Sequence, residues 1–377
     1  MKPGLALRSG RGITPGVIPV DRVVRLVALA ALVVALSAGR ADTSRAAAAP
    51  GIEALVGQRM VVAMQGTTPD AGLLTRIRLG RVGGVILFGP NITSASQVKA
   101  LTEKLQAAAR AGGRPPLLIA TDQEGGLVRR LPWAPPVLSA QQLGGLSLSR
   151  IQGSGGRAGA ALRDVGINLD LAPVADIPRT PGNFIAAQHR AFSTNRYQVA
   201  NDVTAFSRGL EGHGVLPALK HFPGLGRAGA VSTDDAVVHI AATRKQIAWD
   251  LFPYRIAISR SVRPMVMLST AVYPAYGTNA AAFSAAIGQT LLRDNLGFGG
   301  VTITDSLNAA AHVRGATSSA IVLRAAVAGD DLLLLTGSEA DSGAAYSALV
   351  QAARAGTIPL SNLQTSYGRI LRLKGRV

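Results

Sequence analysis

Hydrophobic and polar positions along the chain alternate between two kinds of segment. Short runs of β-branched and aliphatic residues stand at VVAM (61–64), GVILF (84–88), LLIATD (117–122) and INLDL (167–171). Four more follow at LPALKHF (216–222), MVMLST (265–270), VTITD (301–305) and DLLLLT (331–336). Their shortness and β-branched content predict strands, and their near-continuous apolarity predicts burial on both faces. Between them lie amphipathic stretches of helical length at 96–112, 195–214 and 244–261, the first closed by Gly112 and Gly113. Eight apolar strands alternating with helices predict a parallel α/β sheet. It is either closed as a (β/α)8 barrel of the TIM type or open and doubly wound. Eight is the strand number a barrel needs, and residues 53–377 accommodate one with insertions. No G-x-G-x-x-G or P-loop stands at a strand-to-helix turn, which weighs against a nucleotide-binding open sheet. No Pro/Ser-rich linker follows residue 51, so a single domain is expected.

The first 52 residues break this rhythm. Residues 22–41 read RVVRLVALAALVVALSAGRA, in which Arg22 and Arg25 precede an apolar run from Leu26 to Leu36. That run has the length of a signal-peptide core and is short for a membrane span, and Gly39 and Ala41 are small enough to precede a cut. Residues 1–41 are therefore expected to be a signal peptide or N-terminal anchor, 42–52 a linker and 53–377 the barrel domain. The expected location is secreted, at the cell envelope. The chain has no cysteine, which excludes disulfides, thiol nucleophiles and a lipid anchor built on cysteine. Its 39 Lys and Arg against 21 Asp and Glu give a formal net charge of +18. Such a field favours anionic partners, acidic cell-wall polymers among them. The basic residues are scattered without a block interleaved by aromatics, so nucleic acid is not an expected partner. A monomer without cofactor is expected.

In a barrel, chemistry belongs at the carboxyl ends of the strands. LLIATD ends in Asp122, followed by Glu124; LPALKHF carries Lys220 and His221; VTITD ends in Asp305; Arg190 lies in an intervening loop. The five histidines are dispersed with no H-x-x-x-H spacing, so no metal site is expected, and no G-x-S-x-G elbow exists for a serine hydrolase. Carboxylates with cationic donors suit a polyhydroxylated substrate, and retaining glycosidases use one carboxylate as nucleophile and a second group as acid/base. Ordinary alternatives stay open at this point. Asp305 could cap the next helix, Lys220 and His221 could be structural, and Asp122 and Glu124 could be plain loop acids.

ILFGPNI (86–92), IATDQEGGLVRRL (119–131), GINLDLAPVADI (166–177), RAF (190–192), ALKHFPGLG (218–226) and GVTITDSL (300–307) together resemble family 3 glycoside hydrolases. The nearest branch is the single-domain bacterial β-N-acetylglucosaminidases, and the resemblance runs from about residue 53 to 372. It implies a barrel and a retaining mechanism. It also implies cleavage of terminal β-linked N-acetylglucosamine from muropeptides or chitin-type oligomers. By the same resemblance Asp305 is the nucleophile, Asp122 holds sugar hydroxyls, and Arg190, Lys220 and His221 bind the sugar. Arg130 joins this set from the resemblance alone.

One segment departs from the branch pattern K-H-F-P-G-H-G-D-T-x-x-D-S-H, whose last Asp and His form the acid/base dyad. Here residues 220–240 read KHFPGLGRAGAVSTDDAVVHI. Leu225 replaces the first His, and an ungapped count puts Val231 and Thr233 in the dyad slots. His239 falls six residues late, among apolar neighbours that predict a strand or core position. Leu127 also replaces the Arg of the branch's EGGRV. Asp234 is the expected substitute acid/base, because a carboxyl raised by burial or by the nucleophile can protonate a leaving oxygen. Arg227 beside it would oppose that role. The missing dyad motivates a second reading, a weak or inactive binder of wall muropeptides, and the wider family, which includes β-glucosidases, leaves a third, a β-glucosidase-type exo-hydrolase.

Overall fold

The computed structural model describes residues 50–260 and 263–377. The expected signal peptide or anchor (1–41) and most of the linker lie outside the described residues. Among the described residues ten strands occur: β1 (Met60–Ala63), β2 (Gly84–Ile86), β3 (Leu118–Thr121), β4 (Gln123–Gly125), β5 (Val128–Arg129), β6 (Leu169–Asp170), β7 (Leu216–Phe222), β8 (Met265–Leu268), β9 (Thr302–Thr304) and β10 (Leu333–Leu335). Eight of them form one parallel sheet in the order β10-β1-β2-β3-β6-β7-β8-β9. Its two ends meet through a parallel bridge between Ile303 and Leu332, with Leu332 N–H donating to Thr302 O (2.9 Å) and Thr304 N–H to Leu332 O (3.0 Å). The sheet therefore closes into a barrel, and the open doubly wound alternative is set aside. All eight segments read as strands supply these eight strands.

The near-continuous apolar runs have a direct cause. Side chains alternate across a strand, and here both sides are dry. Val61, Ile86, Ala120, Leu169, Met267 and Leu334 point into the barrel and form its inner cluster. Their neighbours Val62, Val85, Ile119, Leu219, Leu268 and Leu335 point outward into the larger cluster under the helices. The helices dock closely where glycine permits it. Helices Leu148–Asp164 and Arg196–Glu211 touch so tightly that a Cβ at Gly209 would lie 2.2 Å from the Gln152 carbonyl.

Two expectations need correction. The stretch 244–261 is not one helix but two, Arg244–Asp250 and Phe252–Ser259. Pro253 has no N–H to donate to the preceding turn, so the first helix ends and a second starts around it. The segment after Asp122 is not a plain loop but an antiparallel hairpin, β4 with β5, turned by Gly125 and Gly126 at φ 103° and 58°. That hairpin folds back over the barrel mouth and carries Glu124.

Candidate active site

The strand ends deliver the polar residues to one place. Asp122 follows β3, Glu124 sits on β4, and Arg130 follows β5. Lys220 and His221 lie on the last turn of β7, and Asp305 follows β9. Arg190 arrives from a loop behind the short helix Phe184–Ala187, held by its N–H to Ile185 O (3.0 Å). All of these, with Asp234 from the loop after β7, line one pocket of about 260 Å³ at the carboxyl end of the barrel. Every site residue named from the sequence is in its wall.

Beneath the pocket runs a charge network. Lys220 Nζ donates to Asp122 Oδ1 (2.8 Å) and lies 2.7 Å from Glu124 Oε1. Arg190 grips Glu124 with two parallel bonds, Nε to Oε2 and Nη2 to Oε1, each 2.8 Å. Arg130 Nη2 stands 3.8 Å from Asp122 Oδ2 and its guanidinium lies over the Phe88 ring. Lys220 and Glu124 are buried, where an unpaired charge is costly and a satisfied one is held rigidly. Burial opposes the Glu124 carboxylate, yet Arg190 and Lys220 together hold its pKa far below the usual range. Burial likewise opposes the Lys220 ammonium, and Asp122 and Glu124 more than offset it, so its pKa is raised.

His221 is held separately. Its Nδ1 is 2.7 Å from Asp176 Oδ2, and Asp176 Oδ1 accepts from Leu225 N–H at 2.7 Å. A carboxylate on Nδ1 fixes the ring and draws the Nδ1 proton toward Asp176, with Nε2 as the other ring nitrogen of a pocket-lining residue. Lys220 and His221 are therefore not paired with each other. Glu124 and Asp176 are the parts missing from the set of site residues read from the sequence. Glu124 was visible there only as one loop acid among others. Asp176, in APVADI, carries no local signal because its partner lies 45 residues away.

Asp305 is half-buried, and its Oδ1 accepts from Ser306 N–H at 2.8 Å. Capping of the following helix, Leu307–His312, falls to Ser306, whose Oγ accepts from Ala309 N–H at 3.1 Å. The Asp305 carboxylate is thus left to the pocket rather than spent on a helix terminus.

The loop after β7 has a fixed half and a presenting half. Leu225 is buried, where the expected histidine would stand. Arg179 N–H donates to Gly226 O (2.7 Å), and Asn183 Nδ2 reaches both Leu225 O and Ala228 O (2.9 Å each). Gly226 passes so close to Ile177 that a Cβ there would meet its carbonyl oxygen at 1.8 Å. Arg227 is taken by Asp250 (Nε to Oδ2, 2.6 Å) and is not among the leading influences on Asp234. Beyond it, Ser232, Thr233 and Asp234 form the pocket wall. Thr233 occupies the slot counted for the dyad histidine and is buried; Val231, in the other slot, is exposed and outside the wall. The Asp234 side chain opens to solvent at the pocket mouth. The surrounding protein and then the Asp305 carboxylate push its pKa up to about 6, against the pull of His221 and Arg190. His239 pairs as an isolated parallel bridge with Val272, but its side chain is exposed, so the strand-like backbone is present and the core position is not. Among the described residues no cluster of His, Asp and Glu is arranged to hold a metal ion.

Such an arrangement, two carboxylates facing a pocket floored by cationic donors, can attack and protonate across a glycosidic bond. Relatives agree on the kind of protein. A secreted glycosyl hydrolase of Arthroderma benhamiae, itself uncharacterized, is 37% identical over 85% of this chain and 92% of its own. A β-N-acetylhexosaminidase structure from Beutenbergia cavernae is 35% identical, with a TM-score of 0.78 over 87% of this chain and 99% of its own. A family 3 β-N-acetylglucosaminidase structure from Paenibacillus is 32% identical, with a TM-score of 0.80 over 87% of this chain. This chain spans 63% of that longer protein. The model of the glycosyl hydrolase family 3 N-terminal domain matches residues 53–373. The chain belongs to glycosyl hydrolase family 3.

Proposed function

We propose that this protein is a retaining exo-glycosidase that removes terminal β-linked N-acetylglucosamine, with Asp305 as nucleophile and Asp234 as acid/base. The observation that carries the reading is the meeting of these two carboxylates in one small pocket, one shielded at a strand end and one pushed up to about 6. Asp305 attacks the anomeric carbon, the bond to the leaving oxygen breaks, and the protonated Asp234 gives that oxygen its proton. The resulting glycosyl ester is hydrolysed when Asp234, now a carboxylate, takes a proton from water, which attacks the same carbon. Asp122, Arg130, Arg190, Lys220 and His221 hold the sugar hydroxyls and the N-acetyl group. A pocket of about 260 Å³ is below the ~300–1,000 Å³ of ordinary ligand sites, which suits one sugar ring at a chain end.

The names of the relatives support N-acetylglucosamine over glucose. Muropeptides and other wall fragments are the proposed natural substrates. A secreted, monomeric protein attracted by its +18 charge to acidic wall polymers fits the leader-like residues 22–41 and the secreted relative. The raised Asp234 argues against a mere binder, since a proton donor stands where the dyad is lost.

Profiling aryl glycosides with the mature protein tests this. The N-acetylglucosaminide should be turned over in preference to the glucoside, and Asp305→Ala should lose at least about a thousandfold in kcat. Turnover surviving in that variant would remove the nucleophile assignment. Preference for the glucoside would move the protein to the β-glucosidase type.

A further inference from the structure

At the opposite, amino-terminal end of the barrel lies a second cavity, larger than the first at about 610 Å³. It opens between the lead-ins to β8 and β9 and is walled by the end of the last helix, Leu360–Lys374. Four arginines line it: Arg263 just before β8, and Arg369, Arg372 and Arg376 along the chain's final stretch. Among the described residues, no Asp, Glu or Lys lines it. Residues 297–300, Gly-Phe-Gly-Gly, form another side. At Gly299 a Cβ would meet nothing within 4 Å, so that side stays open and backbone is accessible there.

The four guanidiniums divide into two kinds. Arg369 Nη1 is held by Asp331 (3.2 Å), and Arg376 Nη2 by Glu211 (2.6 Å) while its Nη1 donates to Arg263 O (2.8 Å). These two stiffen the wall. Arg263 and Arg372 are exposed, and among the described residues neither side chain has an acidic partner. Helix-dipole compensation accounts for a cation in the last turn, such as Arg372, but not for Arg263, which comes from a different element. Converging, partly unpaired arginines in a recessed pocket raise the local concentration of anions. A planar carboxylate is satisfied by one guanidinium fork. The lining arginines come from two elements, Arg263 ahead of β8 and the other three from the chain's final stretch, and a tetrahedral phosphate can accept from guanidiniums on both.

We propose that this cavity binds phosphate groups of a phosphodiester polymer and so tethers the enzyme to a polyanionic matrix with the active-site mouth facing away from it. The inference stands on the arginine cavity and does not need the glycosidase reading.

The test uses the mature chain with poly(glycerol phosphate) as probe, its binding followed by titration calorimetry at low and at physiological salt. Arg263→Ser combined with Arg372→Ser should weaken binding at least tenfold and flatten the salt dependence. Arg110→Ser combined with Arg150→Ser, which removes the same charge from exposed positions elsewhere, should weaken it less than twofold. Both variants should keep wild-type aryl-glycoside turnover, so failure of the tether and failure of the catalytic reading are told apart. Equal losses in the two double variants would mean diffuse charge attraction and would overturn the site. Equal competition by polyglutamate, a carboxylate polymer, would overturn the phosphate assignment. Absence of binding by the wild-type chain would overturn both.

Discussion

At the scale of single residues, the charge network makes Glu124 as consequential as the other residues that line the pocket. Its carboxylate answers both Lys220 and Arg190. Glu124→Gln leaves the buried Lys220 and the half-buried Arg190 short of charge and should cost about 3–5 kcal/mol in denaturant unfolding. It should also lower kcat/KM, because Lys220 and Arg190 lose their positions. The pH sign follows from the depressed pKa of Glu124. Its stabilisation is present above the ordinary carboxylate range and is lost as pH falls through the folded value, so the wild type should weaken in acid and the variant should lack that limb. Asp234 behaves in the opposite sense. With a pKa near 6 it is protonated below that pH, so cleavage of unactivated substrates should decline above about pH 6. Asp234→Asn should remove this limb and cost about a hundredfold or more on natural oligosaccharides, and much less on aryl glycosides whose leaving groups need no proton. Equal losses on both substrate classes would count against an acid role.

At the scale of elements, the loop after β7 shows how an acid can be presented where the family pattern is broken. Its first half is sewn to the loop after β6 by Gly226, Asn183 and the buried Leu225. The second half can then project Asp234 from a fixed base. Gly226→Ala would drive a methyl group into the Ile177 carbonyl. It should destabilise by about 1–3 kcal/mol and reduce turnover of natural substrates more than of aryl glycosides, read from thermal melts and paired kinetics. Elements were also where the sequence was least legible. Strands could be read because both faces are apolar, whereas the break at 251 and the β4–β5 hairpin depend on a missing N–H and on two left-handed glycines. Neither feature alters the hydrophobic period from which elements are inferred.

At the scale of the whole molecule, the barrel shuts a titratable group away from water. Asp170, at the end of β6, has no exposure; Oδ1 accepts from Gln123 N–H at 2.9 Å, and Oδ2 has no partner among the described residues. Burial first, and then Asp122 and Glu124, push its pKa to about 7 against the pull of that N–H and of Lys220. A raised acid pKa gives stability that is full below the unfolded value and is lost as pH rises through the folded one. The melting temperature should therefore fall between about pH 4 and pH 8, and Asp170→Asn should flatten that fall, by an amount on the order of a few kcal/mol at pH 8. An unchanged pH profile in the variant would assign the loss to other groups. The amino acid sequence by itself determined the eight strands, the barrel as one of two closures, and the strand-end polar residues. Each of these rests on local chemistry: side-chain period, turn residues and the rule that barrel loops carry function. The tertiary structure alone decided closure through the Ile303–Leu332 bridge, the pairing of Lys220 with Asp122 and Glu124, and of His221 with Asp176. It alone set Asp234 beside Asp305 and gathered Arg263 with Arg372 at the far end. Those contacts join residues that stand from tens of positions to just over a hundred apart. Their strength depends on burial and mutual distance, which no local pattern encodes.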